Sequence, residues 1–131
     1  MPKQTLTVLT QSFTVHRFIS NTKPDPVIFD QDIYFIGKTT DELSVVVPSN
    51  VILDSLENES NWCCLKVMGP LDFSLTGILS DIANVLSNEK ISIFAISTFD
   101  TDYILVKQHS LSNAIKALEE HDYKINHLIE Q

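Results

Sequence analysis

The chain has 131 residues, 44% apolar and 20% charged, which is the composition of a globular protein with a core to bury rather than of a disordered chain. Seventeen acidic residues against nine basic ones give a formal net charge of −8; that surface repels phosphate backbones, and no basic stripe with interleaved aromatics offsets it, so no nucleic acid is expected as a partner. No apolar run is long enough to span a bilayer and no basic region leads into an apolar segment at the start, so no membrane is expected as a partner and the expected location is cytoplasmic.

In chain order, Gln4 to Phe18 carries two extended pieces, Leu6 to Val8 and then Phe13, Val15 and Arg17 in clean alternation. Asn21 to Pro26 holds two X-Pro bonds and reads as a loop. Val27, Ile28 and Phe29 suffice for a single helical turn. Ile33 to Lys38 and Glu42 to Val47 are predicted strands, turned back by Thr39-Thr40-Asp41. Val51, Ile52, Leu53 and Leu56 predict a short helix. The polar run Glu57 to Asn61 is the expected linker.

The second half is organised around residues 68–107. Trp62 to Met68 is a short apolar run in which Cys63, Leu65 and Val67 share one side of a period-two repeat, as in a half-buried strand. It stops at Gly69-Pro70. Leu75, Ile78, Leu79, Ile82, Val85 and Leu86 then recur at helical spacing, with Asp72 or Ser74 placed to cap the first turn. Ile91 to Phe99 and Tyr103 to Lys107 are rich in β-branched and aromatic residues, and Asp100-Thr101-Asp102 between them is turn chemistry. A second helix presents Leu111, Ala114, Ile115 and Leu118, with Ser110 as its expected cap. Tyr123 to Ile129 reads as a last strand.

The sum is βαββαβ. Right-handed crossovers and the need of each helix to bury its stripe lead to a four-stranded antiparallel sheet with both helices on one face, the ferredoxin-like α+β arrangement. In that arrangement Ile91 to Phe99 is an edge strand. It is apolar and nearly uncharged, so a neighbouring sheet edge is expected alongside it.

Residues 69–79, Gly-Pro-Leu-Asp-Phe-Ser-Leu-Thr-Gly-Ile-Leu, and residues 91–106, Ile-Ser-Ile-Phe-Ala-Ile-Ser-Thr-Phe-Asp-Thr-Asp-Tyr-Ile-Leu-Val, resemble the ACT domain. The resemblance is narrower to small tandem-ACT bacterial proteins related to the CASTOR arginine sensors and to the regulatory regions of aspartate kinases. It implies a C-terminal ACT domain over residues 61–131 and a degenerate N-terminal ACT-like half over residues 1–60. It also implies a free amino acid or similar small ligand at an ACT–ACT interface of a homodimer, with no cofactor. Carried onto this chain, the implied ligand positions are Leu75, Thr76, Gly77 and Ile78 at the helix start. Ser92 and Ile93 follow on the next strand, and Thr98, Phe99 and Asp102 at the hairpin; Asp72 joins them from its place in the loop. Phe94 stands where some aspartate kinases carry an acid, and Lys90 and Asp122 where relatives often have glycine at the helix ends.

The residues themselves leave two readings of Gly77 open. Inside the first helical turn it lets a ligand approach the backbone closely, or it lets the helix pack tightly on a strand. Asp100 and Asp102 are equally consistent with plain turn residues. Catalysis is not expected: His16, His109, His121 and His127 are scattered, and three glycines are too few for a phosphate loop or a dinucleotide fingerprint. Cys63 and Cys64 are adjacent and point to opposite faces of a strand, which suits packed thiols and neither a disulfide nor a zinc site. The expected function is a non-enzymatic amino-acid sensor. The alternative is a protein-interaction domain that uses the sheet edge or face, with its ligand site lost.

Overall fold

A computed structural model describes residues 3–68 and 76–127 of the chain. Its strands are β1 (Thr5–Phe18), β2 (Phe35–Lys38), β3 (Leu43–Pro48), β4 (Glu57–Val67), β5 (Ile93–Ser97), β6 (Asp102–Lys107) and β7 (Lys124–His127), and its helices are α1 (Ile78–Asn88) and α2 (Leu111–Glu120). The chain divides into two compact units, residues 1–10 with 63–131, and residues 11–62.

In the first unit β4 to β7 follow the expected βαββαβ order, and the strands run β7-β1-β4-β6-β5. The sheet departs from four antiparallel strands at one place. The start of β1 lies between β4 and β7, with Thr5 to Val8 parallel to Lys124 to His127 and the Met68 amide donating to the Thr5 carbonyl at 2.8 Å. The physical reason is burial, because Leu6 and Val8 bring two buried side chains to the same core, where β7 offers only the half-buried Ile125. With Leu65, Val67, Ile104 and Val106 they form the apolar face that α1 covers with Ile82, Val85 and Leu86, and α2 with Ala114, Ala117 and Leu118. Each large side chain so buried contributes about 1.5–3 kcal/mol relative to leaving it in water.

Both helices end in the same way. Beyond α1 the amides of Lys90 and Ile91 donate back to Ser87 and Leu86; beyond α2 those of Asp122 and Tyr123 donate back to Glu119 and Leu118. This is the Schellman pattern, and it needs a left-handed residue in the middle. Lys90 at φ 60° and Asp122 at φ 73° fill that place, and Ile91 and Tyr123 turn back into the core. Ser110 stands at the start of α2 as expected, but its side chain makes no capping bond. Its backbone is already αR, closing a 3-10 turn, Gln108–Ser110, that leads into the helix.

In the second unit β2 pairs β3, and Phe13 to Phe18 of β1 run antiparallel to Leu43 to Pro48. The two extended pieces predicted before residue 18 are one strand. Ile28, on the expected helical turn (a 3-10 turn, Pro26–Asp30), packs with Leu43, Val45, Val47 and Val51. Residues 51–56 are not the predicted helix. Val51 is buried, Ile52 exposed and Leu53 half-buried, a period of two that lays the stretch out as extended chain. The predicted linker is likewise strand. Glu57 to Asn61 begin β4 although exposed throughout, because the adjoining Leu56 amide donates to the Arg17 carbonyl at 2.9 Å and backbone pairing needs no apolar side chains.

Candidate functional site

Two tight hairpins share one design. Lys38 pairs Leu43 and Ser97 pairs Asp102, leaving four residues in each turn. Each turn opens on a threonine whose amide donates to the fourth residue's carbonyl, Thr39 to Glu42 at 3.0 Å and Thr98 to Thr101 at 2.8 Å. The hydroxyl of that threonine also bonds the amide and the carbonyl of the fourth residue, so it locks the turn from inside.

The second hairpin carries more. Thr101 is buried at 4% exposure, and its Oγ1 donates to the Val67 carbonyl at 2.6 Å. That bond ties the tip of the β5–β6 hairpin to the end of β4, where the chain departs for α1. Asp102 accepts from Ser97 Oγ at 2.5 Å through Oδ1, a contact that fixes its carboxylate at the root of the turn. Phe99 at the tip is 80% exposed.

The start of α1 lies at this same end. Asp81, one turn in, pairs Lys3 Nζ at 3.0 Å and accepts from the Tyr123 hydroxyl, while Lys3 also lies 5.1 Å from the Tyr123 ring centre. The bond from Tyr123, then that from Lys3, holds the Asp81 carboxyl below its ordinary range; burial, and then Asp81, raises the Tyr123 hydroxyl. Gly77 is not inside the first turn but is the cap residue, at φ 79°. A Cβ there would meet nothing within 4 Å, so tight packing on a strand is not what selects glycine. The left-handed backbone is. The Asp81 amide closes the first helical bond on the Gly77 carbonyl at 2.8 Å, and the amides ahead of it in the first turn have no partner within the helix.

Of the implied ligand positions, Thr76, Gly77, Ile78, Thr98, Phe99 and Asp102 fall at this end of the unit, with Thr76 exposed and Ile78 packed partly on the core. Ser92, one residue ahead of β5, and Ile93, its first residue, fall at the far end, where Ile93 pairs Val106. Asp72 and Leu75, and the expected cap Ser74, lie outside the described residues. Reading residue types alone singled out neither Thr101 as the tie nor the Lys3–Asp81–Tyr123 cluster. The only local signal was a β-branched residue between two acids in a turn.

The remaining polar groups are dispersed. His16 is buried with Nδ1 2.8 Å from Ser55 Oγ, His121 lies 2.8 Å from the Ala117 carbonyl, and His109 and His127 are exposed. Cys63 and Cys64 are free thiols; burial, then its neighbour, pushes Cys64 up to about 12, and burial raises Cys63 too. Among the described residues no group of His, Cys, Asp and Glu could hold a metal, and no helix is long and apolar enough to cross a membrane.

Residues 57–120 match the ACT domain family. The cytosolic arginine sensor for mTORC1 subunit 1 of Bos taurus is 36% identical over 73 residues, 55% of this chain and 22% of that protein, so the chain spans about a fifth of the relative's length. Among solved structures, a protein of Agrobacterium tumefaciens superposes with TM-score 0.91 at 27% identity over 100% of this chain and 98% of that one. The aspartate kinase of Clostridium acetobutylicum superposes with TM-score 0.67 at 16% identity, over 86% of this chain and 33% of that one. Over residues 57–120 the chain is thus similar in sequence to the ACT domain family, and its fold is shared with both solved structures.

Proposed function

We propose that the chain is a non-enzymatic, cytoplasmic sensor that binds a free amino acid at a seam between ACT units of a homodimer. The observation that carries this reading is the convergence at one end of the C-terminal unit. A helix start whose first amides have no partner within the helix, fit for a carboxylate, lies at the same end as a hairpin whose Asp102 carboxylate fits an ammonium or guanidinium group. Ser92 and Ile93, at the far end of β5, would come from the second copy's side of the seam. The relatives support the class of ligand, one being named an arginine sensor and another an allosteric aspartate kinase. The N-terminal residues take the part of a degenerate ACT-like half. A ligand that touches both sides of the seam stabilises the arrangement in which both are in place, and so regulates by shifting an equilibrium.

Isothermal calorimetry of the full chain against each proteinogenic amino acid tests this. Heat with one of them, lost in Asp102→Asn, is expected. No heat from any at millimolar concentration overturns it and leaves the interaction-domain reading.

A further inference from the structure

Residues 11–62 carry eight acidic and three basic side chains, a net −5 within one compact unit. One of the three, Arg17, already lies 3.4 Å from Glu57 and 3.9 Å from Glu42. The core of this unit is closed by thin cover, the 3-10 turn Pro26–Asp30 and the extended stretch 51–56, which turn Ile28, Val51 and Leu53 inward. With so few residues in the layer, their neighbours must turn outward. Phe29 is 53% exposed, Ile52 85% and Leu56 60%. Ile19, at 62%, is close by, since Leu56 is bonded to Arg17, two residues away. Exposed acids, Asp30, Asp32 and Asp54, alternate with these apolar groups along the chain.

Scattered single apolar residues on a surface need no explanation, but several on one thin layer, among charged side chains in which acids outnumber Arg17 and Lys23, mark an interaction face. We propose that the outer face formed by Phe29, Ile52 and Leu56 docks a protein partner whose surface interleaves apolar and cationic side chains, as a basic amphipathic helix does. Charge selects this occupant. A second copy would bring −5 against −5, and like charges set opposite one another cost several kcal/mol and suppress the wrong pairing. The face belongs to residues 11–62 and is independent of any ligand at the β5–β6 hairpin.

The test is amide chemical-shift mapping of the full chain with three synthetic peptides. They are a lysine–leucine amphipathic helix, a lysine–serine peptide of equal charge and a glutamate–leucine helix of equal shape. Saturable shifts confined to residues 27–32 and 52–57 are expected with the first. The lysine–serine peptide should bind about tenfold or more weakly, and the glutamate–leucine helix not at all. Added salt should weaken the complex. Ile52→Lys, at an exposed site where folding is undisturbed, should weaken the lysine–leucine peptide about tenfold, with Phe29→Ser as a second variant. Equal binding of the lysine–serine peptide, shifts outside these residues, or shifts that grow with protein concentration and no peptide would each overturn the proposal.

Discussion

Lys90 holds φ at 60°, a conformation in which an L side chain crowds its own carbonyl at a cost of roughly 1–2 kcal/mol. Replacement by glycine removes that strain and adds back some freedom in the unfolded chain, so Lys90→Gly should stabilise the protein by about 0.5–1 kcal/mol in a denaturant titration. Asp122→Gly should give less, since aspartate tolerates this region better. Gly77→Ala tests the converse: with nothing within 4 Å of the added carbon, a loss of about 1 kcal/mol would be conformational alone. The glycine-like character of positions 90 and 122 was legible as a departure from a family pattern, whereas the left-handed cap at Gly77 was not, because glycine marks many backbone needs at once.

His16 makes a second prediction. Its ring is buried, Nδ1 faces Ser55, and Nε2 finds no partner, so burial lowers its pKa from 6.5. The unfolded chain takes up a proton as pH falls through 6.5 while the folded ring still resists; stability is therefore full above that value and declines below it. Urea midpoints between pH 8 and pH 5 should fall for the parent chain and fall less for His16→Gln. Identical slopes would show that His16 does not carry the effect.

At the scale of elements, hydrophobic period decided most of the reading. Helices α1 and α2 announce themselves by their repeats, and the two hairpins by β-rich runs on either side of a polar turn, although the second turn begins at Thr98, two residues before the expected Asp100. The failures share a cause. Residues 51–56, Val-Ile-Leu-Asp-Ser-Leu, fit either period, and only the buried partners of Val51 and the bond of Ser55 to His16 choose the extended one. Glu57 to Asn61 are polar on both sides, so nothing local distinguishes a paired strand from a linker. The insertion of β1 beside β7 joins residues more than a hundred positions apart and has no local signature at all. The same scale predicts what holds the candidate site in shape. Thr101→Val keeps the volume and the β-branch but removes the bond to the Val67 carbonyl, which leaves a buried acceptor short of a donor. The expected loss is about 1–3 kcal/mol of stability, with any amino-acid affinity falling further than Thr98→Val would lower it. Equal effects of the two substitutions on binding would mean the tie to β4 does not position the hairpin.

For the whole molecule, β5 ends the strand order of its unit, as expected from its place after the first helix; Ile93, Phe94 and Ile96 are partly buried, Ala95 and Ser97 exposed, and none of the five is charged. An end strand without charges is a template on which another edge can pair. Ala95 is exposed on this strand, so Ala95→Lys should leave the protomer folded and set two lysines against each other across a β5–β5 seam. If the ligand lies in that seam, ligand binding and self-association are one linked equilibrium, and whatever factor a saturating amino acid adds to dimer affinity, dimerisation must add to amino-acid affinity. Sedimentation at several protein concentrations, with and without the amino acid that gives heat, measures the first factor, and calorimetry over the same concentrations measures the second. Agreement of the two in the parent chain, with both lost together in Ala95→Lys, is the expected outcome. Unchanged amino-acid binding by a monomeric Ala95→Lys would place the ligand entirely within one chain.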